Sequence, residues 1–182
     1  MATSKFGRIT FQNLYHTREF KNRFISSMSP AISHAVICSP FFDKLPSPFG
    51  DVAGFCRFLN VRGTKSIHII TRPPGTDAQA MTKEMAKLLA AQGVEIFIRA
   101  KPYLHAKMYH FEYEVGFFRT FVGSANFTLG GFERNHELVT EMEGVGDASP
   151  CHVEIARMAQ TGALSYNAWV ARGQPEGDKE HK

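Results

Sequence analysis

The chain has 182 residues, of which 43% are hydrophobic and 21% are charged. This length and composition predict one folded domain that needs no metal or disulfide for stability, and they exclude a disordered chain and a disulfide miniprotein. No apolar run approaches the roughly 20 residues of a membrane helix, so no membrane partner is expected. The net charge of +4 favours a polyanionic partner without requiring one.

The N-terminal residues and the cysteines indicate a cytoplasmic protein. Residues 1–10 include basic residues but no apolar segment behind them, so they do not resemble a secretory signal. Cys38, Cys56 and Cys151 are an odd number without C-x-x-C spacing. This pattern is typical of reduced thiols rather than of a disulfide framework.

The first part of the chain predicts alternating strands and helices. The N-terminal pattern predicts a short strand at 9–15, or a segment leading into a helix that begins at the N-cap Thr17 and ends before Pro30. The apolar run at 35–38 predicts a buried strand followed by the loop Ser39-Pro40-Phe41-Phe42. A short helix at 52–59 and a second apolar strand at 66–71 follow.

Residues 66–98 predict a β-α-β unit. Thr76 and Gln79 have the spacing of a capping box, apolar residues from Met81 to Leu89 mark one helical face, and Gly93 stands where a helix would end. A third strand is expected at 94–98. Strand, helix and strand with short connections imply parallel pairing with a right-handed crossover.

The pattern changes after Leu104 to strands joined by tighter turns, at 104–113, 117–122 and 138–142. A helix is expected from Cys151 to Ala159, and residues 173–182 form a polar tail that we expect to be disordered. The expected fold is therefore α/β, with a mixed, partly parallel central sheet and helices on both faces, in one domain spanning residues 1–172.

Two groups of polar residues fall at neighbouring strand ends in this second part. His105 and Lys107 are two apart in a predicted strand, so alternation places both on one face together with Tyr109. The segment Gly123-Ser124-Ala125-Asn126 combines small residues, which let backbone amides approach an anion, with two side-chain donors. Asn135-His136-Glu137 then precedes another strand. A cation, an imidazole, an amide and a carboxylate together favour phosphate chemistry.

These residues resemble the H-x-K-x4-D…G-S-x-N signature of the phospholipase D superfamily. His105 and Lys107 match its first part, Ser124 and Asn126 its second, and Glu137 stands where the family places a further carboxylate. The resemblance covers about residues 33–143. One departure is visible, because Glu112 stands at the position of the signature's aspartate, which has a supporting role in the family.

The resemblance implies a phosphodiesterase that uses no metal or other cofactor. In such enzymes one histidine attacks phosphorus and forms a covalent phosphohistidine, and a second histidine protonates the leaving oxygen. Carried over, His105 is the nucleophile, Lys107, Ser124 and Asn126 bind the phosphate, and Glu137 orients the histidine. Because this chain contains one H-x-K motif, we expect a homodimer in which two copies of His105 meet.

The expected substrate is nucleic acid, with DNA preferred over RNA, and the expected activity is that of an endonuclease. Lys101, Arg119 and Arg134 flank the motif and are candidate contacts to backbone phosphates. Two alternatives remain open: a phospholipase D-type lipid phosphodiesterase or phosphatidyltransferase, and a catalytically silent module that binds nucleic acid. A metal site built from His110, Glu112, His136 and Glu137 is disfavoured, because these residues match no spaced ligand set.

Overall fold

The computed structural model describes residues 8–145, 155–157 and 159–176. In this part of the chain one mixed sheet of eight strands forms the centre of the molecule. The strands are β1 (Arg8–His16), β2 (Ile32–Cys38), β3 (Ser66–Thr71), β4 (Glu95–Ile98), β5 (Met108–Tyr113), β6 (Phe117–Gly123), β7 (Leu138–Val145) and β8 (Leu164–Ser165). Their order across the sheet is β1-β7-β6-β5-β2-β3-β4-β8.

The pairing directions bring distant parts of the sequence to one end of this sheet. β2, β3 and β4 are parallel, whereas β5, β6, β7 and β1 follow one another antiparallel on the side of β2. The strands β2, β3, β4 and β6 therefore finish at the same end at which β5 and β7 begin. We call this end of the sheet its carboxyl end.

Helices cover both faces of the sheet, as expected. The helices α1 (Thr17–Ser27), α2 (Val52–Val61), α3 (Lys83–Ala91) and α4 (Tyr166–Ala171) contribute to the main hydrophobic core on one face. On the opposite face the helical residues 155–157 contribute Ala156, which packs on Val36, Cys38 and Ile70. The mixed sheet and its two covered faces confirm the predicted α/β class.

The main core is unusually aromatic, and it anchors the loops at the carboxyl end. Phe24 of α1 is fully buried and packs edge-on against Phe132, with ring centroids 4.9 Å apart. Phe132 belongs to a π-helical turn (Gly130–Arg134), and Phe127 belongs to the loop that follows β6. Both rings also contact Tyr109 of β5. The loops beyond β6 are thus fixed by buried aromatic area and not by polar contacts alone.

Several predicted element boundaries differ from the observed ones. His16, not Thr17, is the N-cap of α1, and its backbone N–H donates to Glu19. The predicted capping box at Thr76 is wrong: α3 begins after Thr82, whose hydroxyl accepts from the backbone N–H of Met85. The hydroxyl of Thr76 instead donates to Pro73 in a turn, because short polar side chains also stabilise turns.

The sequence patterns also missed some elements and placed others beyond the described residues. The π-helical turn, β8 and α4 were not expected. The part of the predicted helix at 151–159 that the structure describes, residues 155–157 and 159, is helical, and residues 151–154 lie outside the described residues. The same is true of residues 177–182 of the predicted polar tail.

No helix of the described residues is long and apolar enough to cross a membrane.

Candidate active site

Three segments that are separate in sequence meet at the carboxyl end of the sheet. His105 and Lys107 directly precede β5, and Gly123 ends β6. Glu137 directly precedes β7. The backbone N–H of Gly123 donates to the carbonyl of Lys107 at 3.3 Å, and that of Ser124 donates to the carbonyl of Leu138 at 3.0 Å. These two bonds place the predicted site residues side by side.

His105 and Lys107 differ in their exposure. His105 is exposed, and its ring centroid lies 6.1 Å from that of Tyr103. Lys107 is only 6% exposed, and its ammonium donates to the carbonyl oxygen of His105 at 2.8 Å. The predicted strand from Leu104 begins only at Met108, so His105 lies on the segment leading into β5 and not in the strand itself. The exposed imidazole is open to a substrate or to a second subunit.

The loop after β6 holds its side chains by close backbone packing. A Cβ at position 123 would lie 2.2 Å from the carbonyl oxygen of Leu138, so only glycine fits there. The buried Tyr109 hydroxyl donates to the carbonyl of Ala125 at 2.5 Å from below the loop. Burial raises the pKa of Tyr109 well above its ordinary value, so its phenol stays protonated and able to donate.

Two backbone amides of the loop at residues 123–126 donate to other parts of the protein. Those of Gly123 and Ser124 donate to carbonyl groups within the sheet, and that of Phe127 donates to the hydroxyl of Ser39. The sequence pattern identified the loop but not the direction of its amides, because that direction depends on pairing with β5 and β7. The backbone amides of Gly123 and Ser124 are therefore not available to bind phosphate.

Glu137 is 6% exposed and is held by hydrogen bonds from two neighbours. The Ser124 hydroxyl donates to one carboxylate oxygen, and the Asn135 amide donates to the other at 3.1 Å. The backbone N–H of Glu137 donates to the hydroxyl of Thr17, which in turn donates to the carbonyl of Asn135. No hydrogen bond joins Glu137 to His105 in the described structure. Ser124 thus holds Glu137, and its predicted role in binding phosphate stays a prediction.

Asn126 lies at the mouth of a polar cleft beside this group. It is half-buried, and its Oδ1 atom is buried with no hydrogen-bond partner among the described residues. A Cβ at position 131 would lie 2.2 Å from the carbonyl oxygen of Asn126, so Gly131 allows the π-helical turn to approach the loop closely. The close approach of Gly131 to the backbone of Asn126 therefore helps to fix the position of the Asn126 side chain.

Arg72 is a buried cation beside the site that the sequence analysis did not identify. It follows β3 at the carboxyl end and is only 4% exposed. Its guanidinium pairs with Asp77 at 2.7 Å, donates to the Tyr103 hydroxyl at 3.0 Å and lies 4.3 Å from the centroid of the Tyr103 ring. The sequence could have indicated this residue, because Arg72 directly follows a predicted buried strand. A side chain at that position lies at the carboxyl end of a parallel sheet.

Glu112 lies apart from the other predicted site residues. It is on β5, five residues after Lys107, and a strand of that length spans about 16 Å. Its carboxylate lies 3.6 Å from Nε2 of His110, on the sheet face opposite the main core. His110 and Glu112 are thus separated from His136 and Glu137, and the four-residue metal set is not brought together. No group of three potential metal ligands was found among the described residues.

The three candidate nucleic-acid contacts have different surroundings. Lys101 and Arg134 are exposed near the carboxyl end. Arg119 is only 8% exposed and is paired with Glu141 and Glu143 on the core face of the sheet. This placement contradicts the expectation that Arg119 contacts backbone phosphates. A guanidinium held by two carboxylates inside the protein cannot reach a bound strand.

Comparison with known proteins identifies the family. Residues 24–159 match the family model described as cardiolipin synthase, PLD-like domain. The chain belongs to this phospholipase D-like family. A comparison with curated protein sequences gives no match.

Several solved structures share the fold of this chain at low sequence identity. Nuc from Salmonella typhimurium, a phospholipase D family member, is 16% identical with a TM-score of 0.59, over 87% of this chain and 99% of that chain. NucT from Helicobacter pylori is 14% identical with a TM-score of 0.54, over 87% and 100%. Phosphatidylserine synthase from Haemophilus influenzae Rd KW20 is 9% identical with a TM-score of 0.56, over 90% and 41%.

Proposed function

We propose that this phospholipase D-like protein is a metal-independent phosphodiesterase that cleaves nucleic acid as an endonuclease, with DNA as the expected substrate. The observation that carries the proposal is the convergence of His105, Lys107, Asn126 and Glu137 at the carboxyl end of one sheet. An imidazole, an ammonium, an amide and a carboxylate at one place are the groups that phosphoryl transfer through a histidine requires.

The proposed reaction has two steps. A neutral His105 attacks phosphorus, the bond to the leaving oxygen breaks, and a second histidine gives that oxygen a proton. The second histidine, now neutral, takes a proton from water, whose oxygen attacks phosphorus and breaks the bond to His105. Lys107 and Asn126 stabilise the charge on the phosphoryl oxygens in both steps.

The second histidine comes from a second copy of the chain. No other histidine in the sequence is followed two residues later by lysine. His105 is exposed at the end of the sheet, where a two-fold axis can bring it to the partner subunit's His105. We therefore propose a homodimer with the active site at its axis.

The surroundings of the site support a polyanionic substrate. Lys101 and Arg134 are exposed near the carboxyl end, and Lys107 lies within it. The chain as a whole has a net charge of +4. Cations spread beyond the reacting group suit a ligand that carries several phosphates in a row.

Hydrolysis in the presence of a chelator tests the proposed chemistry. We expect the protein to nick plasmid DNA and cut single-stranded DNA in excess EDTA, because cationic side chains supply the charge stabilisation. His105→Ala should abolish cleavage, whereas His136→Ala, an exposed histidine at the same end of the sheet, should retain it. Loss of cleavage in EDTA with recovery in magnesium would overturn the metal-free mechanism.

The same preparation discriminates the alternatives. Release of headgroup from phosphatidylglycerol vesicles without DNA cleavage would identify a lipid phosphodiesterase. Binding of DNA without cleavage of DNA or lipid would identify a silent binding module.

A further inference from the structure

A polar cleft of about 240 Å3 opens beside Asn126 at the carboxyl end of the sheet. It is several times larger than the roughly 30 Å3 that one water molecule occupies in the liquid. Its principal lining residues are Phe41, Asp43, Gln79, Asn126, Arg134 and Asn135. Two of them, Asn126 and Arg134, are already placed in the proposed site or its surroundings, and the other four have no assigned role in binding substrate.

The cleft is built from loops that are fixed to one another. The backbone N–H of Phe42 donates to the carbonyl of Gln79 at 2.9 Å, and Phe42 forms a parallel bridge with Phe127. Phe127 in turn donates its backbone N–H to the Ser39 hydroxyl at 3.1 Å. The loop that carries Phe41 is therefore held at a set position relative to Asn126.

The wall of the cleft combines a flat apolar surface with hydrogen-bonding groups. Phe41 is half-buried, and the guanidinium of Arg72 lies over one face of its ring, 5.4 Å from the centroid, so a ligand must stack on the other face. The exposed side chains of Gln79 and Asp43 offer an amide and a carboxylate across the opening. An aromatic face with donors and acceptors at its margin matches a nucleobase, which is flat and carries donors and acceptors along its edge.

The charge of the cleft argues for a base and against a second phosphate. Asp43 places a carboxylate at the opening, which repels an anion and accepts from the amino group of a base. Arg134 is a cation among the lining residues and Asp43 offsets its charge, whereas Lys101 and Lys107 do not line the cleft. Arg134 at the rim can contact the phosphate that follows the bound base.

We propose that this cleft binds an unpaired nucleobase next to the scissile phosphate and so makes single-stranded DNA the preferred substrate. This inference rests on the proposed function, since Asn126 is taken to contact the reacting phosphate. In a duplex each base is stacked and paired, and it must leave the stack before it can enter a pocket. Single-stranded DNA offers such a base without that cost.

The experiment separates base recognition from catalysis. Binding is measured by fluorescence anisotropy with the His105→Ala protein, using a labelled thymidine oligonucleotide and an abasic deoxyribose-phosphate oligomer of the same length. We expect the thymidine strand to bind at least about 10-fold more tightly, as stacking of one base on an aromatic ring allows. Phe41→Ala should remove this difference, Phe41→Tyr should keep it, and Phe11→Ala, an exposed aromatic on β1, should leave it unchanged.

Cleavage assays with otherwise wild-type proteins complete the test. Phe41→Ala should slow cleavage of single-stranded DNA about 10-fold or more but leave cleavage of the abasic oligomer unchanged. Equal binding of the two oligomers, or an equal loss on both in Phe41→Ala, would overturn the base-binding cleft. Absence of hydrolysis of any phosphodiester, with the binding difference intact, would overturn the proposed function instead.

Discussion

Lys107 is buried to 6% exposure although it carries a charge, and its ammonium is held by the carbonyl of His105. Burying an ammonium costs free energy unless hydrogen bonds or an opposite charge compensate for the lost water. This residue therefore combines a structural position with the proposed role in stabilising phosphoryl charge.

The substitution Lys107→Met tests that role with little change in volume. We expect the rate to fall by about 10²–10³, as it does when one donor is removed from an oxyanion hole, because the charge that stabilises the phosphoryl oxygens is lost. Methionine keeps an apolar side chain of similar size, so folding should be preserved. Steady-state rates and thermal unfolding are measured together. A rate near that of the unmodified protein would remove Lys107 from the proposed mechanism.

Gly123 lies where strands β6 and β7 approach most closely at the site. A methyl group there would meet the carbonyl of Leu138 at 2.2 Å, so the backbone must move. We expect Gly123→Ala to destabilise the fold by about 1–3 kcal/mol and to lower activity, since the Ser124 hydroxyl would no longer reach Glu137. Chemical denaturation and rate measurements on the variant check both effects. An unchanged midpoint would show that the strands can separate at no cost.

At the level of secondary-structure elements, a buried ion-pair network joins α1 to the far strands of the sheet. Glu141 of β7 has no exposed surface, and it accepts from Arg23 of α1 at 2.6 and 2.8 Å and from the Tyr15 hydroxyl of β1 at 2.6 Å. Arg119 of β6 lies 2.6 Å away on the other side. The guanidinium that the sequence assigned to nucleic acid is thus a structural connection between strands.

This network predicts an acid-sensitive contribution to stability. Burial alone would raise the pKa of Glu141, but hydrogen bonds from Arg23 and Tyr15 and the charges of Arg23 and Arg119 outweigh it and lower that pKa below the ordinary 4.5. Because the folded carboxylate is favoured, its contribution is present above pH 4.5 and is lost as pH falls through the lowered value.

We therefore expect Glu141→Gln to destabilise the protein at pH 7 by up to about 3 kcal/mol, with a difference from the unmodified protein that shrinks on acidification. Glu133→Gln removes a more exposed carboxylate, paired with Lys21 at 3.2 Å, and serves as the matched control with little effect. The free energy of unfolding is measured from pH 7 to pH 3. A difference that is constant over this range would contradict the assigned pKa direction.

For the molecule as a whole, the proposed homodimer makes a quantitative prediction. If each site needs His105 from both subunits, a dimer with one His105→Ala subunit is inactive. Co-expression of equal amounts of unmodified and variant chains should then leave about a quarter of the activity, whereas independent sites would leave about half. Sedimentation equilibrium on the same sample measures the association state. Full activity in a purely monomeric species would exclude the shared site.

The local patterns of the sequence determined much of the fold. Apolar runs correctly predicted β3 at both ends, the parallel pairing of β3 with β4, and α2. A buried strand or helix face requires apolar side chains at a fixed period along the chain, which a sequence shows directly. The combination of His105, Lys107, Ser124, Asn126 and Glu137 likewise identified the family, which the match over residues 24–159 confirms. These features depend on residues close together in the chain or on a fixed set of residue types.

Only the tertiary structure decided how those residues are used. The Ser124 hydroxyl donates to Glu137, and the Thr17 hydroxyl accepts from the backbone N–H of Glu137. Arg72 lies beside the site and donates to Tyr103, whereas Arg119 is paired with Glu141 in the core. Each of these contacts joins segments from different strands or helices, so its geometry depends on strand order and register across the whole sheet. Such contacts cannot be predicted from the spacing of residues in the sequence. Strand pairing brings together residues whose separation along the chain has no fixed value.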